Sequence, residues 1–245
     1  MPLTKLSPLL KTRSEYRALL EALLAAAVVT VVVTLCSMFV PDRYVATVVG
    51  FVFLGATWLL VWRGDDSRVE AYGLALGGLV LPGKIDMTRL LRSVGVAMAW
   101  ALLFGAIFFV PFYFGWRHFW HPRGTFHFRI TPNEALNEVF GQLVIIALPE
   151  EAFYRGYLQS RLDEAFPKRV RIFGAELGPA LLVTSAIFAI GHFATIHEPA
   201  RFAVFFPSLA FGFLRARTKG IGAGLAFHAM CNLLSETLGK GFRIY

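Results

Sequence analysis

Two carboxylates and a guanidinium lie inside one of the apolar stretches of the chain. Glu150, Glu151 and Arg155 directly follow the uncharged run 143–148. Moving such a group from water into a lipid bilayer costs at least about 2.5–3.5 kcal/mol, so ionisable residues in a membrane-spanning segment usually face the protein interior or a water-filled cavity. This segment is therefore predicted to hold a functional site.

The spacing of these residues on a helix predicts different tasks for the two acids. Glu151 and Arg155 are four residues apart, so they stack on one face with the acid on the N-terminal side, the better orientation for an ion pair. Glu150 points about 100° away from Glu151. Pro149 removes one helical hydrogen bond, so it is predicted to kink the helix and open the backbone beside Glu150. We expect Glu151 to neutralise Arg155 and Glu150 to remain free to act on another group.

Two further residue pairs, each containing a histidine, occur in later apolar stretches. The two members of each pair are four residues apart. Phe188 and His192 form one pair, and His228 and Asn232 form the other. The topology predicted below places one end of each of these three helices on the cytoplasmic side. With a rise of about 1.5 Å per residue, Glu150 and the two histidines lie about 12–20 Å from those ends. These groups are therefore predicted to approach a common depth near the middle of the bilayer.

The residue types brought together in this way have more than one chemical use. A carboxylate, two imidazoles and a carboxamide supply the base, the water-holding partner and the oxyanion donors that amide hydrolysis needs. Glu150, His192 and His228 would equally hold zinc with one open position, although the chain has no HExxH helix. The same groups would also serve a non-catalytic membrane scaffold, or a transporter with a proton path.

The composition is that of an integral membrane protein. Of 245 residues, 56% are hydrophobic and only 16% are charged, which is too apolar for an ordinary soluble domain. The net charge of +8 does not indicate a nucleic-acid partner, because Lys and Arg occur in short clusters between apolar runs rather than on one face. Cys36 and Cys231 belong to no metal-binding spacing and are interpreted as small core residues.

Seven apolar stretches predict a polytopic transmembrane helix bundle, all-α in fold class. The predicted spans are 22–40, 44–62, 94–116, 133–162, 180–196, 199–214 and 221–238. The segment 71–81 is short and contains three glycines, so we expect it to lie at the membrane interface. One domain is the simplest count, with N-terminal spans in 1–130 and a catalytic core in 131–240 that carries the site on its last four helices.

The positive charges outside the spans predict the orientation of the bundle. In the seven-span topology, 16 Lys and Arg residues lie on the side of the N-terminus and 7 on the other side. Because cytoplasmic loops carry the excess of Lys and Arg, the N-terminus is predicted to be cytoplasmic and the C-terminus outside. The plasma (inner) membrane is the expected location.

The three polar motifs together resemble those of one protease family. They resemble the CAAX protease and bacteriocin-processing (CPBP) intramembrane proteases, which include the type II CAAX prenyl endopeptidases. The motifs are EExxxR at Glu150, FxxxH at Phe188 and HxxxN at His228, in that order on successive predicted helices. The resemblance covers about 139–234, and residues 1–130 carry no motif of the family.

The resemblance implies roles for the site residues. Glu150 and His192 would activate the water, and His228 and Asn232 would stabilise the oxyanion. The ion pair of the first motif would brace the site. The resemblance implies a glutamate-type peptidase that needs no cofactor, which we favour over a zinc metalloprotease.

The resemblance also implies a class of substrate. The enzyme would cut a membrane protein or a lipid-modified peptide near its C-terminus, within the lipid bilayer. Within the same class, processing of C-terminal sorting signals, as in the myxosortase branch, and bacteriocin processing or immunity remain alternatives.

Overall fold

A computed structural model of the protein describes residues 12–128 and 130–244. Lys5, Lys11 and Arg129, which contribute to the charge count above, lie outside the described residues. Within these two ranges the chain forms eight helices and one β-hairpin. The helices are α1 (Arg13–Phe39), α2 (Asp42–Trp62), α3 (Asp66–Ala71), α4 (Met87–Trp120), α5 (132–165), α6 (Pro179–Thr195), α7 (Phe205–Thr218) and α8 (Gly222–Gly241).

The predicted all-α bundle is confirmed, and six of the seven predicted spans coincide with a helix over most of their length. By length and composition, three helices of the described chain are able to cross a membrane, namely α1, α2 and α4. Helix α6 is apolar but shorter. The antiparallel strands β1 (Val170–Ile172) and β2 (Ala175–Leu177), which lie between α5 and α6, were not predicted.

The sixth predicted span is wrong in its first half. A 3₁₀ segment, Pro199–Val204, precedes α7, which begins only at Phe205. Pro207 therefore lies in the first turn of α7. Proline is tolerated there because the N–H that it lacks would have no helical partner. Helix α7 then continues beyond the predicted end to Thr218.

The segment 71–81 forms no span of its own. It contains a single 3₁₀ turn, Leu76–Gly78, in which Gly77 adopts a φ of 71°. Leu74 is fully buried, and a β-carbon on Gly156 of α5 would lie 2.5 Å from its side chain. The segment is thus attached to the core through a close contact that only glycine permits at position 156.

Helix α5 begins at a capping box. The Thr131 hydroxyl accepts a hydrogen bond from the Glu134 N–H, and the Glu134 carboxylate accepts one from the Thr131 N–H at 2.8 Å. Thr131 is therefore the N-cap of α5. These reciprocal hydrogen bonds fix the residue at which α5 begins.

Two π-helical segments interrupt α5 on either side of its acidic pair. Gly141–Ala147 and Ala152–Leu158 are π-helical, and the short α-helical segment Leu148–Glu151 lies between them. Pro149 cannot donate the usual hydrogen bond and its ring crowds the carbonyl four residues earlier, so wider turns beside it relieve both problems. The distortion that Pro149 predicts therefore takes the form of two wide turns in a continuous helix.

Two apolar clusters flank the middle of α5. One joins α1, α2, α5 and α6 through residues such as Phe53, Phe153 and Phe188. The other joins α4, α7 and α8 around Phe211 and Phe227. The polar residues of the predicted site lie where these clusters meet, shielded from lipid by helices on both sides.

Candidate active site

Glu151 is the centre of a buried charge cluster. Its Oε1 lies 3.0 Å from Nη1 of Arg155 and 2.9 Å from Nδ1 of His228. The side chains of Glu151 and Arg155 are fully buried, and that of His228 is 5% exposed. The ion pair on α5 is the one that the four-residue spacing predicts, whereas the contact with His228 of α8 was not predicted.

Arg155 has further partners that hold its charge in the bundle. Its Nη2 donates a hydrogen bond of 2.7 Å to the hydroxyl of Ser208 on α7. Its guanidinium carbon lies 4.4 Å from the ring centre of Phe188 and 5.0 Å from that of Phe211, within the range of cation–π attraction. Sequence reasoning missed Ser208, for which the available signal was a hydroxyl next to Pro207 in an apolar segment.

Glu150 is the acid that remains free, as the sequence predicted. Its Oε2 is buried and accepts no hydrogen bond from the described residues. This oxygen lies 3.8 Å from Nε2 of His228, which is too long for a direct hydrogen bond. A buried acceptor without a partner is rare in folded proteins and commonly marks a place for water, a ligand or a reaction.

The hydrogen bonding of His192 fixes one of its ring nitrogens. Nδ1 lies 3.0 Å from the carbonyl oxygen of Phe188, one turn earlier on α6. A carbonyl oxygen only accepts hydrogen bonds, so Nδ1 carries the hydrogen. In the neutral ring Nε2 then has a lone pair and is able to accept a proton or a hydrogen bond.

A cavity of about 470 Å³ is bordered by both Glu150 and His192. Its wall also includes Tyr154 of α5 and apolar side chains of the first two helices, such as Val33 and Val49. Because a free carboxylate and a free imidazole nitrogen border the same space, the cavity is able to hold a water molecule beside a bound chain. The structure thus brings Glu150 and His192 to one cavity.

One of three comparisons with known proteins found a match. Residues 132–234 match the sequence model of the family described as type II CAAX prenyl endopeptidase Rce1-like. These residues form an Rce1-like domain. Searches of curated proteins and of solved structures found no significant match to the chain.

The matched segment covers less than half of the 245 residues and has general implications for activity. The Rce1-like family consists of CAAX-type intramembrane endopeptidases, which implies protease activity and a membrane-associated protein substrate. Together with the long apolar helices, it makes the chain an integral membrane protein. All the motif residues named above lie inside the matched segment.

Asn232 is the predicted site residue that the structure leaves apart. It lies on α8, one turn after His228, and is half-buried. Its side chain forms no hydrogen bond within the part of the chain that the structure describes. The Rce1-like domain therefore brings five of the six predicted residues into contact with each other or with one cavity, and Asn232 adjoins them through α8 alone.

Tyr154 lies between the site and α1. Its hydroxyl and that of Thr30 both face Gly191, and its ring packs edge-on against Phe188 with 4.9 Å between centres. Gly191 of α6 leaves the space for the Tyr154 hydroxyl, because a β-carbon there would lie 3.0 Å from it. A helix outside the Rce1-like domain is thus attached directly beside the site.

The two histidines named above as possible zinc ligands each have one ring nitrogen in a contact within the chain. Among the described residues, no three His, Cys, Asp or Glu side chains are grouped so that they could hold a metal ion. Nδ1 of His228 is engaged by Glu151, and Nδ1 of His192 is engaged by a backbone carbonyl.

Proposed function

We propose that this protein is a glutamate-type intramembrane endopeptidase that hydrolyses a peptide bond near the C-terminus of a membrane-associated or lipid-modified protein. The observation that carries the proposal is the buried Glu150, whose Oε2 has no hydrogen-bond partner, at the same cavity as His192. The Rce1-like motifs support it because both residues occupy motif positions.

In the proposed reaction, Glu150 and His192 activate one water molecule. Glu150 takes a proton from the water while Nε2 of His192, left free by the Nδ1 hydrogen bond, holds and orients it. The water oxygen attacks the carbonyl carbon of the scissile bond. The proton then passes to the leaving amine as the carbon–nitrogen bond breaks, so the carboxylate is regenerated.

The oxyanion is assigned to His228 and Asn232. For His228 to donate from Nε2 while Nδ1 donates to Glu151, its ring must carry both hydrogens. The positive charge of that form would be matched by the carboxylates at 2.9 Å and 3.8 Å. Asn232 would supply its amide as a second donor, one turn further along α8.

Glu151 is assigned a positioning role and Arg155 a bracing role. Glu151 fixes the orientation of the His228 ring through Nδ1, and Arg155 neutralises Glu151 while joining α5 to Ser208 of α7. Neither side chain borders the cavity of about 470 Å³. Within the EExxxR motif, Glu150 thus acts on the water molecule and Glu151 acts on His228.

The test is to look for the substrate whose cleavage disappears. In the source organism, wild-type protein is replaced by the variants Glu150→Gln and His192→Ala, with Thr47→Ala as a control on the exposed surface of α2. We expect at least one membrane protein to keep an uncut C-terminal segment in both site variants and to be processed in the control. Membrane levels of the variants, measured in parallel, should equal that of wild type.

The same strains separate the non-catalytic alternatives. If the C-terminal peptides of membrane proteins are identical in all strains, and the site variants instead unfold or lose a transport activity, the protein is a scaffold or a transporter. If cleavage is lost, the sequence around the uncut bond decides between a lipid-modified tail, a sorting signal and a bacteriocin-like precursor.

A further inference from the structure

A second cavity, of about 480 Å³, lies between the N-terminal ends of α4 and α8. Its α4 side is lined by Thr88, Arg89, Arg92 and Ser93, and its other side by the residues that join α7 to α8. Helix α4 is a candidate span, and its uncharged stretch begins directly after these residues. The cavity therefore lies where α4 passes from the aqueous phase into the apolar part of the membrane.

The two arginines are the principal charges of this cavity, and they differ in their partners. Arg89 pairs with Glu70 at 2.7 Å, an exposed ion pair that contributes little and can be exchanged for another anion. Arg92 is exposed and forms no ion pair or hydrogen bond within residues 12–128 and 130–244. The guanidinium of Arg92 is therefore available to bind an anion without breaking an existing contact.

The acid that borders the cavity is already engaged. Oδ1 of Asp86 accepts hydrogen bonds from the N–H groups of Thr88 at 2.9 Å and Arg89 at 3.0 Å, which makes it the N-cap of α4. Its charge is thus partly compensated by the positive end of that helix. The exposed Lys219, between two residues that line the cavity, adds a further positive charge nearby.

Helix α8 contributes a second set of donors. No side chain caps its N-terminus at Ile221, and Gly222 and Ala223 of its first turn line the cavity. The first N–H groups of a helix lack helical partners and attract anions. The hydroxyl groups of Thr88 and Ser93 line the same cavity, and the apolar residue Val96 lines it one turn further along α4.

We propose that this cavity binds the phosphate group of an anionic membrane lipid. Guanidinium groups pair with phosphate through parallel hydrogen bonds, and basic pockets between membrane helices at the interface bind lipid headgroups. The acyl chains would lie along the apolar surface of α4, where Val94 and Met98 are exposed. The site is separate from the one around Glu150, and its existence does not depend on the proposed reaction.

The test measures lipid binding by the purified full-length protein. The protein is equilibrated with phosphatidylglycerol or with phosphatidylcholine in mixed micelles, and bound lipid is quantified by native mass spectrometry. We compare wild type, Arg92→Gln, Arg89→Gln combined with Arg92→Gln, and the matched control Arg123→Gln, an exposed arginine in the loop after the other end of α4. Circular dichroism checks that each variant is folded.

We expect wild type and Arg123→Gln to bind phosphatidylglycerol in preference to phosphatidylcholine. Removal of Arg92 should weaken this binding about fivefold, and removal of both arginines should weaken it further. Equal binding of phosphatidylglycerol by wild type and the double variant overturns the proposal. An arm with inorganic phosphate identifies the source: if phosphate alone binds as tightly as the lipid and depends on the same arginines, the lipid assignment is wrong.

Discussion

The two adjacent acids of α5 provide a matched pair of perturbations with opposite expected outcomes. Replacing Glu151 or Glu150 by Gln removes one negative charge in each case and hardly changes the shape of the side chain. Glu151 contacts Arg155 and His228 through Oε1, whereas Glu150 accepts no hydrogen bond from the described residues and lies 3.8 Å from His228. The first change should therefore act on stability, and the second should act on the reaction.

The expected magnitudes follow from burial. Glu151 and Arg155 are both fully buried, and removing one partner of a buried ion pair costs about 3–5 kcal/mol because it leaves a charge uncompensated. Glu150→Gln should lower the free energy of unfolding less than Glu151→Gln does, since Glu150 accepts no hydrogen bond from the described residues and its nearest cationic partner, His228, is 3.8 Å away. It should, however, lower the cleavage rate about 10²–10⁴-fold, the usual contribution of a general base.

The assay combines unfolding of the purified variants in detergent, followed by circular dichroism, with cleavage of the substrate identified above. The double variant Glu151→Gln with Arg155→Met removes the uncompensated charge and should regain part of the lost stability. If Glu151→Gln unfolds like wild type, or if Glu150→Gln is destabilised as much as Glu151→Gln, the division of labour between the acids is refuted.

Three further outcomes are expected. Gly50→Ala should lower the free energy of unfolding by about 1–3 kcal/mol, because a β-carbon there would lie 2.7 Å from the Ile145 carbonyl oxygen. The control is Gly55→Ala, whose β-carbon would meet nothing within 4 Å. Equal unfolding of the two variants would contradict the close approach of α2 and α5. Ala46→Trp should raise KM for cleavage about tenfold by filling the cavity that Ala46 lines, while Thr47→Trp on the same helix should leave KM unchanged. Similar kinetics for both variants would show that the substrate does not bind in this cavity. Treatment with a zinc chelator should leave the cleavage rate unchanged. If the chelator abolishes cleavage and added zinc restores it, Glu150, His192 and His228 are zinc ligands instead.

The local part of the site was predictable from sequence because helix periodicity decides it. The pairing of Glu151 with Arg155 and the freedom of Glu150 follow from spacings of four residues and one residue on the same helix. The contact between Glu151 and His228 joins residues 77 positions apart, so no local pattern contains it. The assignment of His228 to the oxyanion alone therefore omitted the carboxylate that orients its ring.

The backbone features that were missed have a different cause. Wide π-helical turns on both sides of Pro149 leave no periodic signature, because an apolar segment shows no polar face that would change its spacing. The hairpin of β1 and β2 has strands of only three residues each, and its turn includes Phe173 and Gly174, both with positive φ. Strands this short do not produce a countable alternation of apolar and polar residues.

The division between the Rce1-like domain and the N-terminal helices has a consequence for specificity. Helices α1 and α2 lie outside the matched segment, yet they supply Thr30 beside Tyr154 and much of the wall around Glu150. A chain bound in this cavity would contact Val33 and Val49, since these side chains line the same space as Glu150. The proposed chemistry thus lies in one part of the chain and the choice of substrate depends on another, so exchanging α1 and α2 should alter which protein is cut without changing the residues that cut it.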